Sequence, residues 1–379
     1  MNYFEKLCKW SCSNKKVFPK LPDALKRLEA FVGAEREKEL LSKTMLFYIS
    51  SYMLTQPRRR STRKRKRVVI KRQSKKSRVF DEDSDSEFDP SDDDVPELSK
   101  AEKMRVMRSL IRQVIDSMDE EEEEEEEDEQ LQEIVRRRGL LDGHFMHAML
   151  LGDPGTGKTT FADILVDIWC ALGIADRSRY IKTTRSDWIG KYQGHSVAKA
   201  KQLMERARGG VIFIDEAYSL IAAAKDDMYG SEVLTEIVEA MTSSNILFIM
   251  AGYADDMKRL YGNNKGLERR IGFMFEFKKP SGKQLFSIFE HQLKRHKWRV
   301  KQTDRVKMMD FFSRQKMPFG GGSTEQLIFH CKQTAVVRQF PDAHQKILII
   351  NDLKEGNKSL EDNKRRVKNI PVGVKHMYL

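Results

Sequence analysis

Long apolar runs are missing from this sequence. No stretch of its 379 residues reaches the ~20 consecutive apolar residues that a membrane-spanning helix requires. The most apolar early run, 45–54, is short and contains Ser50, Ser51 and two tyrosines. The first residues, with Glu5, Lys6 and Lys9, lack the head and apolar centre of a secretory signal. These features predict an intracellular protein, cytoplasmic or nuclear, without a membrane partner. Cysteine is scarce too: only Cys8, Cys12, Cys170 and Cys331, with no second pair at metal-binding spacing. That excludes a disulfide scaffold and a zinc module, and predicts free, reduced thiols. The eight histidines form no H-E-x-x-H pattern. No internal repeat is visible.

What is abundant is charge, unevenly placed. The net charge is +12. Residues 57–78 hold 13 basic and no acidic side chains, 81–94 hold 9 acidic ones and 119–129 hold 11. Outside these tracts stand 56 basic against 37 acidic residues, a balance that suits a polyanionic partner.

Helical spacing of Leu21, Leu25 and Leu28, then Leu40, Leu41, Met45 and Leu46, predicts helices over 21–56 that break at Phe31-Val32-Gly33 and end at Pro57. Residues 57–97 are poor in apolar side chains and blocked in charge, and read as disordered. Met104, Met107, Leu110, Ile111, Val114 and Ile115 suggest an amphipathic helix over 100–117, followed by an acidic linker. From residue 145 the texture changes. Strands are predicted at 146–151, 179–183, 211–214, 246–251 and 273–277, and helices at 159–172, 197–207 and 232–241. Strands alternating with helices predict an α/β fold with a parallel sheet covered on both faces. After Pro280 the strands stop, and helices are expected at 285–297, 304–314 and 324–339.

The strongest motif is Gly152-Asp153-Pro154-Gly155-Thr156-Gly157-Lys158-Thr159, a full match to G-x-x-x-x-G-K-[ST] set between strand and helix. In such a loop backbone N–H groups curl around phosphates, the lysine reaches the β- and γ-phosphates, and the threonine hydroxyl binds Mg²⁺. The helix N-terminus adds positive potential. Its partner is Val211-Ile212-Phe213-Ile214-Asp215-Glu216, a buried strand ending in two carboxylates. Asp215 is positioned to hold magnesium and Glu216 to polarise the attacking water. The expected substrate and ion are ATP and Mg²⁺.

Four runs carry a resemblance: 152–160, which extends the loop through Thr160; Ile189-Gly190-Lys191-Tyr192-Gln193-Gly194-His195; Gly209 to Leu220 with Asp215-Glu216-Ala217-Tyr218; and Ala251-Gly252-Tyr253. Together they resemble one AAA+ branch, which includes the stage V sporulation protein K group and the red-type Rubisco activases. Related ATPases occur in large DNA viruses of eukaryotes. The resemblance covers about residues 21–56 and 140–350. It implies a P-loop three-layer sheet with a C-terminal helical lid, and a hexameric ring with ATP at subunit interfaces. It also implies a neighbour-supplied arginine after a Gly-Leu turn, here Arg270 with Arg269 as the alternative. It sets Val32 and Gly33 against the adenine and Tyr192 on a central-pore loop.

Three departures stand beside it. The polar residue expected after the strand that follows the acidic site is replaced by Ala251-Gly252-Tyr253, leaving Tyr253 for that work, since Ser244 and Asn245 come early in the chain for it. The turn into the lid helix, Gly320-Gly321-Gly322-Ser323-Thr324-Glu325, has no arginine, and Arg338 lies about four turns on. Residues 57–134 interrupt the module. The basic part of that insertion suggests an import signal or a nucleic-acid tether. Ser84, Ser86 and Ser91 within it suit phosphorylation.

The expected layout is an N-terminal segment 1–20, a linker and first helix 21–56, a charged insertion 57–134, an ATPase core 135–279, and a helical lid and tail 280–379. The expected function is Mg-dependent ATP hydrolysis that remodels a protein partner. A nucleic-acid-associated or viral assembly ATPase is the first alternative: residues 278–379 hold 22 basic and 9 acidic side chains. A nucleotide-gated scaffold is the second.

Overall fold

The computed structural model describes residues 2–55, 129, 131–134, 137, 146–190, 195–221, 228–243, 245–315, 317, 320–340 and 345–368. The readings made for 57–128 and for Lys191-Tyr192-Gln193-Gly194 therefore lie outside the described residues. The chain divides into two units, residues 1–52 with 133–379, and residues 53–132.

The centre of the first unit is a five-stranded parallel sheet: β1 (His147–Gly152), β2 (Tyr180–Thr183), β3 (Val211–Ile214), β4 (Leu247–Gly252) and β5 (Ile271–Phe277), in the order β2-β3-β4-β1-β5. The central strands are buried along their whole length, as strands covered on both faces must be. Alternation along β1 sends Ala148 and Leu150 to one face and Met149 and Leu151 to the other. The first face meets α2 (Leu21–Ala30), α3 (Glu35–Thr55) and α4 (Lys158–Ala171), through Phe161, Leu165, Ile168 and Trp169. The second meets α6 (His195–Arg206), α7 (Met228–Ser243), α8 (Ala254–Asn263) and α9 (Lys265–Arg270), after the single turn α5 (Arg185–Trp188). This is the expected α/β, three-layer P-loop architecture.

The N-terminal helices are tied to the sheet layer. The Tyr48 hydroxyl donates to Leu172 O at 3.2 Å, and Arg27 pairs with Asp167 on α4. Phe31, at the predicted break, sets its ring 5.6 Å from that of Phe161 and 6.2 Å from that of Phe277. Phe161 is fully buried and also meets Phe275 at 5.1 Å. Phe161→Ala is expected to destabilise the protein by about 3–5 kcal/mol, read from chemical unfolding; a loss below about 1 kcal/mol would contradict this packing.

Beyond residue 280 stand α10 (Gly282–Arg295), α11 (Arg305–Arg314), α12 (Gly320–Gln339) and α13 (Ile350–Lys368), around a separate core of Phe286, Phe289, Phe312, Leu327 and Leu353. The expectation that strands stop at Pro280 is corrected by β6 (Arg299–Val300) and β7 (Ile347–Leu348), which form a small parallel pair. Two residues carry no readable period, and what places them is the burial of Leu348 in that core. Helix α13 and the N-terminal α1 (Tyr3–Ser13) were not foreseen. Among the described residues no helix is long and apolar enough to cross a membrane.

Candidate functional site

At the carboxyl ends of β1, β3 and β4 lies a cavity of about 820 Å³. Crevices at strand carboxyl ends are the usual ligand sites of open parallel sheets. One wall is the loop between β1 and α4: Pro154, Gly155, Thr156, Gly157, Lys158, Thr159 and Thr160 all line it. Gly157 caps α4 at φ +95°, where a side chain is strained, and a Cβ there would lie 3.0 Å from the Phe31 ring. Gly152 and Asp153 do not line the cavity. Their carbonyls instead accept from Lys158 Nζ, at 2.7 and 2.9 Å. The Asp153 carboxylate pairs with Lys279 at 3.1 Å.

The opposite wall is acidic. Asp215 and Glu216, immediately after β3, both line the cavity. Glu216 sits at φ 50°, a left-handed conformation that costs a non-glycine residue about 1 kcal/mol or more and is concentrated at functional sites. Its N–H donates to Asp215 Oδ1 at 3.0 Å. A single 3-10 turn, Ala217–Leu220, follows. Burial pushes the Lys158 ammonium below its usual pKa, and Asp215, Asp153 and Glu216 push it back up. A phosphate would add to the second effect, so cation and cavity suit an anionic ligand. Burial and then Glu216 raise the Tyr218 hydroxyl to about 12. Tyr218 stays neutral at ordinary pH beside the carboxylates.

Tyr253 also lines the cavity. Its ring lies 5.9 Å from Lys158 Nζ and 5.4 Å from the Tyr218 ring. Val32 lines the cavity beside Phe31, whereas Gly33 does not and stands against the Gln284 side chain. Of the other candidates for the polar post after β4, Asn245 is held at the far end of that strand by its carbonyl, which accepts from Gly209 N–H. Ser244 is outside the described residues. Arg270 is not on this cavity. At the end of α9 it donates to Gly266 O at 3.0 Å and to Thr242 Oγ1. Arg269 is exposed on the same turn.

The lid completes the site, on α10 with residues the sequence did not single out. Ile288, His291, Gln292 and Arg295 present one face of α10 to the cavity, with Gly321, Gly322 and Glu325 from the first turns of α12. The 288-291-292-295 spacing was readable, but a polar helical face reads first as a solvated one. Arg27 and Asp163 line the remaining edge. The Thr159 hydroxyl and the Asp215 carboxylate are hard oxygen donors on one cavity, the set that suits Mg²⁺. Among the described residues no three His, Cys, Asp or Glu side chains cluster as a self-contained cation cage. A cation held by one or two side chains and by substrate phosphates needs none.

Residues 148–278 match the family described as ATPase family associated with various cellular activities (AAA). The chain is similar to a CfxQ homolog of Guillardia theta, 32% identical over 213 residues, covering 55% of this chain and 72% of the relative. It is similar to a CfxQ-like protein of Acanthamoeba polyphaga mimivirus, 29% identical over 220 residues, covering 57% and 52%. It is also similar to the chloroplastic ribulose bisphosphate carboxylase/oxygenase activase of Cyanidioschyzon merolae, 36% identical over 157 residues, covering 41% and 54%. Against most of the curated relatives it matches, the chain spans about half of the relative's length.

Proposed function

Since the chain belongs to the AAA family of ATPases, among its CfxQ-type proteins, we propose that it hydrolyses ATP with Mg²⁺ and, assembled as a ring, remodels a protein partner. The observation that carries the chemistry is that Lys158, Thr159, Asp215 and Glu216 line one cavity. Gly155, Thr156 and Gly157 offer backbone N–H groups to the phosphates, and Lys158 leaves its two carbonyls for the β- and γ-phosphates. Thr159 and Asp215 would hold Mg²⁺, which neutralises charge on the transferring phosphoryl group when bound. Glu216 accepts a proton from the attacking water. Val32 and Phe31 supply an apolar seat for the base. In this reading the ATPase core runs 135–279 and the lid and tail 280–379.

Remodelling is supported by the relative whose name makes it an activase of another enzyme. Tyr192 is the residue we assign to grip a client. A tyrosine ring offers a large apolar face with few rotatable bonds, so it can hold varied side chains at low ordering cost. A nucleic-acid-associated ATPase is the second reading, supported by the basic balance of 278–379 and by the tract 57–78. That tract would equally serve nuclear import.

The test is turnover with Mg-ATP, alone and with candidate protein or polynucleotide partners, beside mass measurement with and without nucleotide. Tyr192→Ala is expected to keep basal turnover within about twofold, because the residue belongs to neither the phosphate loop nor the acidic pair in sequence, and to remove stimulation by a protein client. Full client stimulation in Tyr192→Ala would sink the threading model. Stimulation by polynucleotide alone would put the second reading first.

A further inference from the structure

The lid presents no arginine at the start of α12, yet its main chain touches the phosphate loop. The N–H of Gly321 donates to Gly155 O at 2.9 Å. Gly321 O accepts from Gln292 Nε2 at 3.0 Å, across from α10. The buried Thr324 hydroxyl lies 2.7 Å from Gln292 Oε1 and 2.8 Å from Gly321 O, so it can donate to either. A chain of hydrogen bonds thus runs from the phosphate loop into both lid helices that face the cavity.

The contact demands glycine. Gly320 stands at φ +46°, and a Cβ there would meet Gly155 O at 2.7 Å. A Cβ on Gly321 would meet the same oxygen at 3.3 Å. A side chain at Gly320 would push α12 off the loop, and one at Gly321 would need the Gly155 carbonyl to give by a few tenths of an ångström.

We propose that Gln292 is a positioning residue for nucleotide: through Gly321 it pins the first turn of α12 to Gly155, so that the lid follows the phosphate loop through the main chain. The inference rests on the nucleotide-binding reading above. In that reading the loop's N–H groups serve phosphates, while the Gly155 carbonyl takes the lid. A peptide unit tied by its carbonyl turns only with what holds it. Phosphates that order the loop fix that carbonyl and favour the seated lid. By linkage, the seated lid then strengthens nucleotide binding by the same factor. The charged lid residues at the cavity, His291, Arg295 and Glu325, make no hydrogen bond or ion pair to the loop among the described residues.

The experiment uses the full chain, a fluorescent ADP analogue and Mg-ATP, comparing wild type with Gln292→Ala, Gln292→Glu, Gly321→Ala and the Gln292→Ala/Gly321→Ala pair. Gln292→Glu keeps an acceptor for Thr324 but has no donor for Gly321 O. Each single variant is expected to release nucleotide about five- to tenfold faster, the effect of losing one hydrogen bond in a partly buried chain. The rise in KM for ATP should exceed the fall in kcat. The double variant should be no worse than the worse single one, because both break one link. Melting temperatures without nucleotide should stay within about 2 °C of wild type. Wild-type release rates in Gln292→Glu, additive losses in the double variant, or a drop in nucleotide-free melting temperature large enough to account for the release would each overturn the proposal. If wild type binds nucleotide and the variants match it, the latch fails and the ATPase reading stands. If wild type binds none, both fail.

Discussion

Glu216→Gln is expected to bind ATP nearly as well as wild type and to hydrolyse it about 10²–10⁴-fold more slowly, the usual contribution of a positioned general base. The amide keeps the size of the side chain and its place at φ 50°, so loop and cavity stay as they are. What disappears is the ability to take a proton from water. Lys158→Ala should behave in the opposite way, losing nucleotide affinity by about 10²-fold or more, since a charge-assisted contact of about 3 kcal/mol is removed. The ammonium is already partly desolvated and faces three carboxylates that favour its charge. Its removal leaves Asp215 and Glu216 uncompensated where phosphates must sit, which deepens the loss. Equilibrium binding of a fluorescent ATP analogue and phosphate release, measured for both variants, separate the two roles. Normal turnover in Glu216→Gln would remove that residue from catalysis. Tight binding by Lys158→Ala would mean that the phosphates lie elsewhere.

These two residues were legible because their chemistry is written locally. A glycine-rich turn between a strand and a helix, and a carboxylate pair after a four-residue apolar strand, need no tertiary information. The sheet was legible for the same reason: fully buried parallel strands read as apolar runs, and all five were placed within a residue or two. The lid face of the cavity was not legible. Gln292 and Gly321 are 29 positions apart, and only the packing of α10 on α12 brings them together. The strands β6 and β7 are two residues each, too short for any period to show. The lack of a lid arginine was visible in Gly320-Gly321-Gly322. What the glycines do instead was not, because a main-chain contact leaves no side-chain signature.

Arg270→Ala is expected to retain ATP binding within about twofold and to lose about 10³-fold in turnover, the lower end of what an arginine finger contributes. Arg270 is not on the cavity of its own chain, and its guanidinium rests on Gly266 O and Thr242 Oγ1 at the end of α9. In the proposed ring, its contact with a γ-phosphate would be with that of a neighbouring copy. Cations are favoured at a helix C-terminus, so the replacement also costs some stability, about 0.3–1 kcal/mol, too little to unfold the protein. The decisive measurement is a mixture. Arg270→Ala subunits carry an intact Glu216, and Glu216→Gln subunits carry an intact Arg270. In mixed rings some interfaces pair a working base with a working arginine, and part of the activity should return although each variant alone is inactive. Arg269→Ala, run in parallel, should hydrolyse normally. If it is the one that fails and is rescued, the exposed arginine of the turn is the finger. If mixed rings form and no activity returns with either, then catalysis does not cross the subunit boundary, and Arg270 serves only to close the last turn of α9.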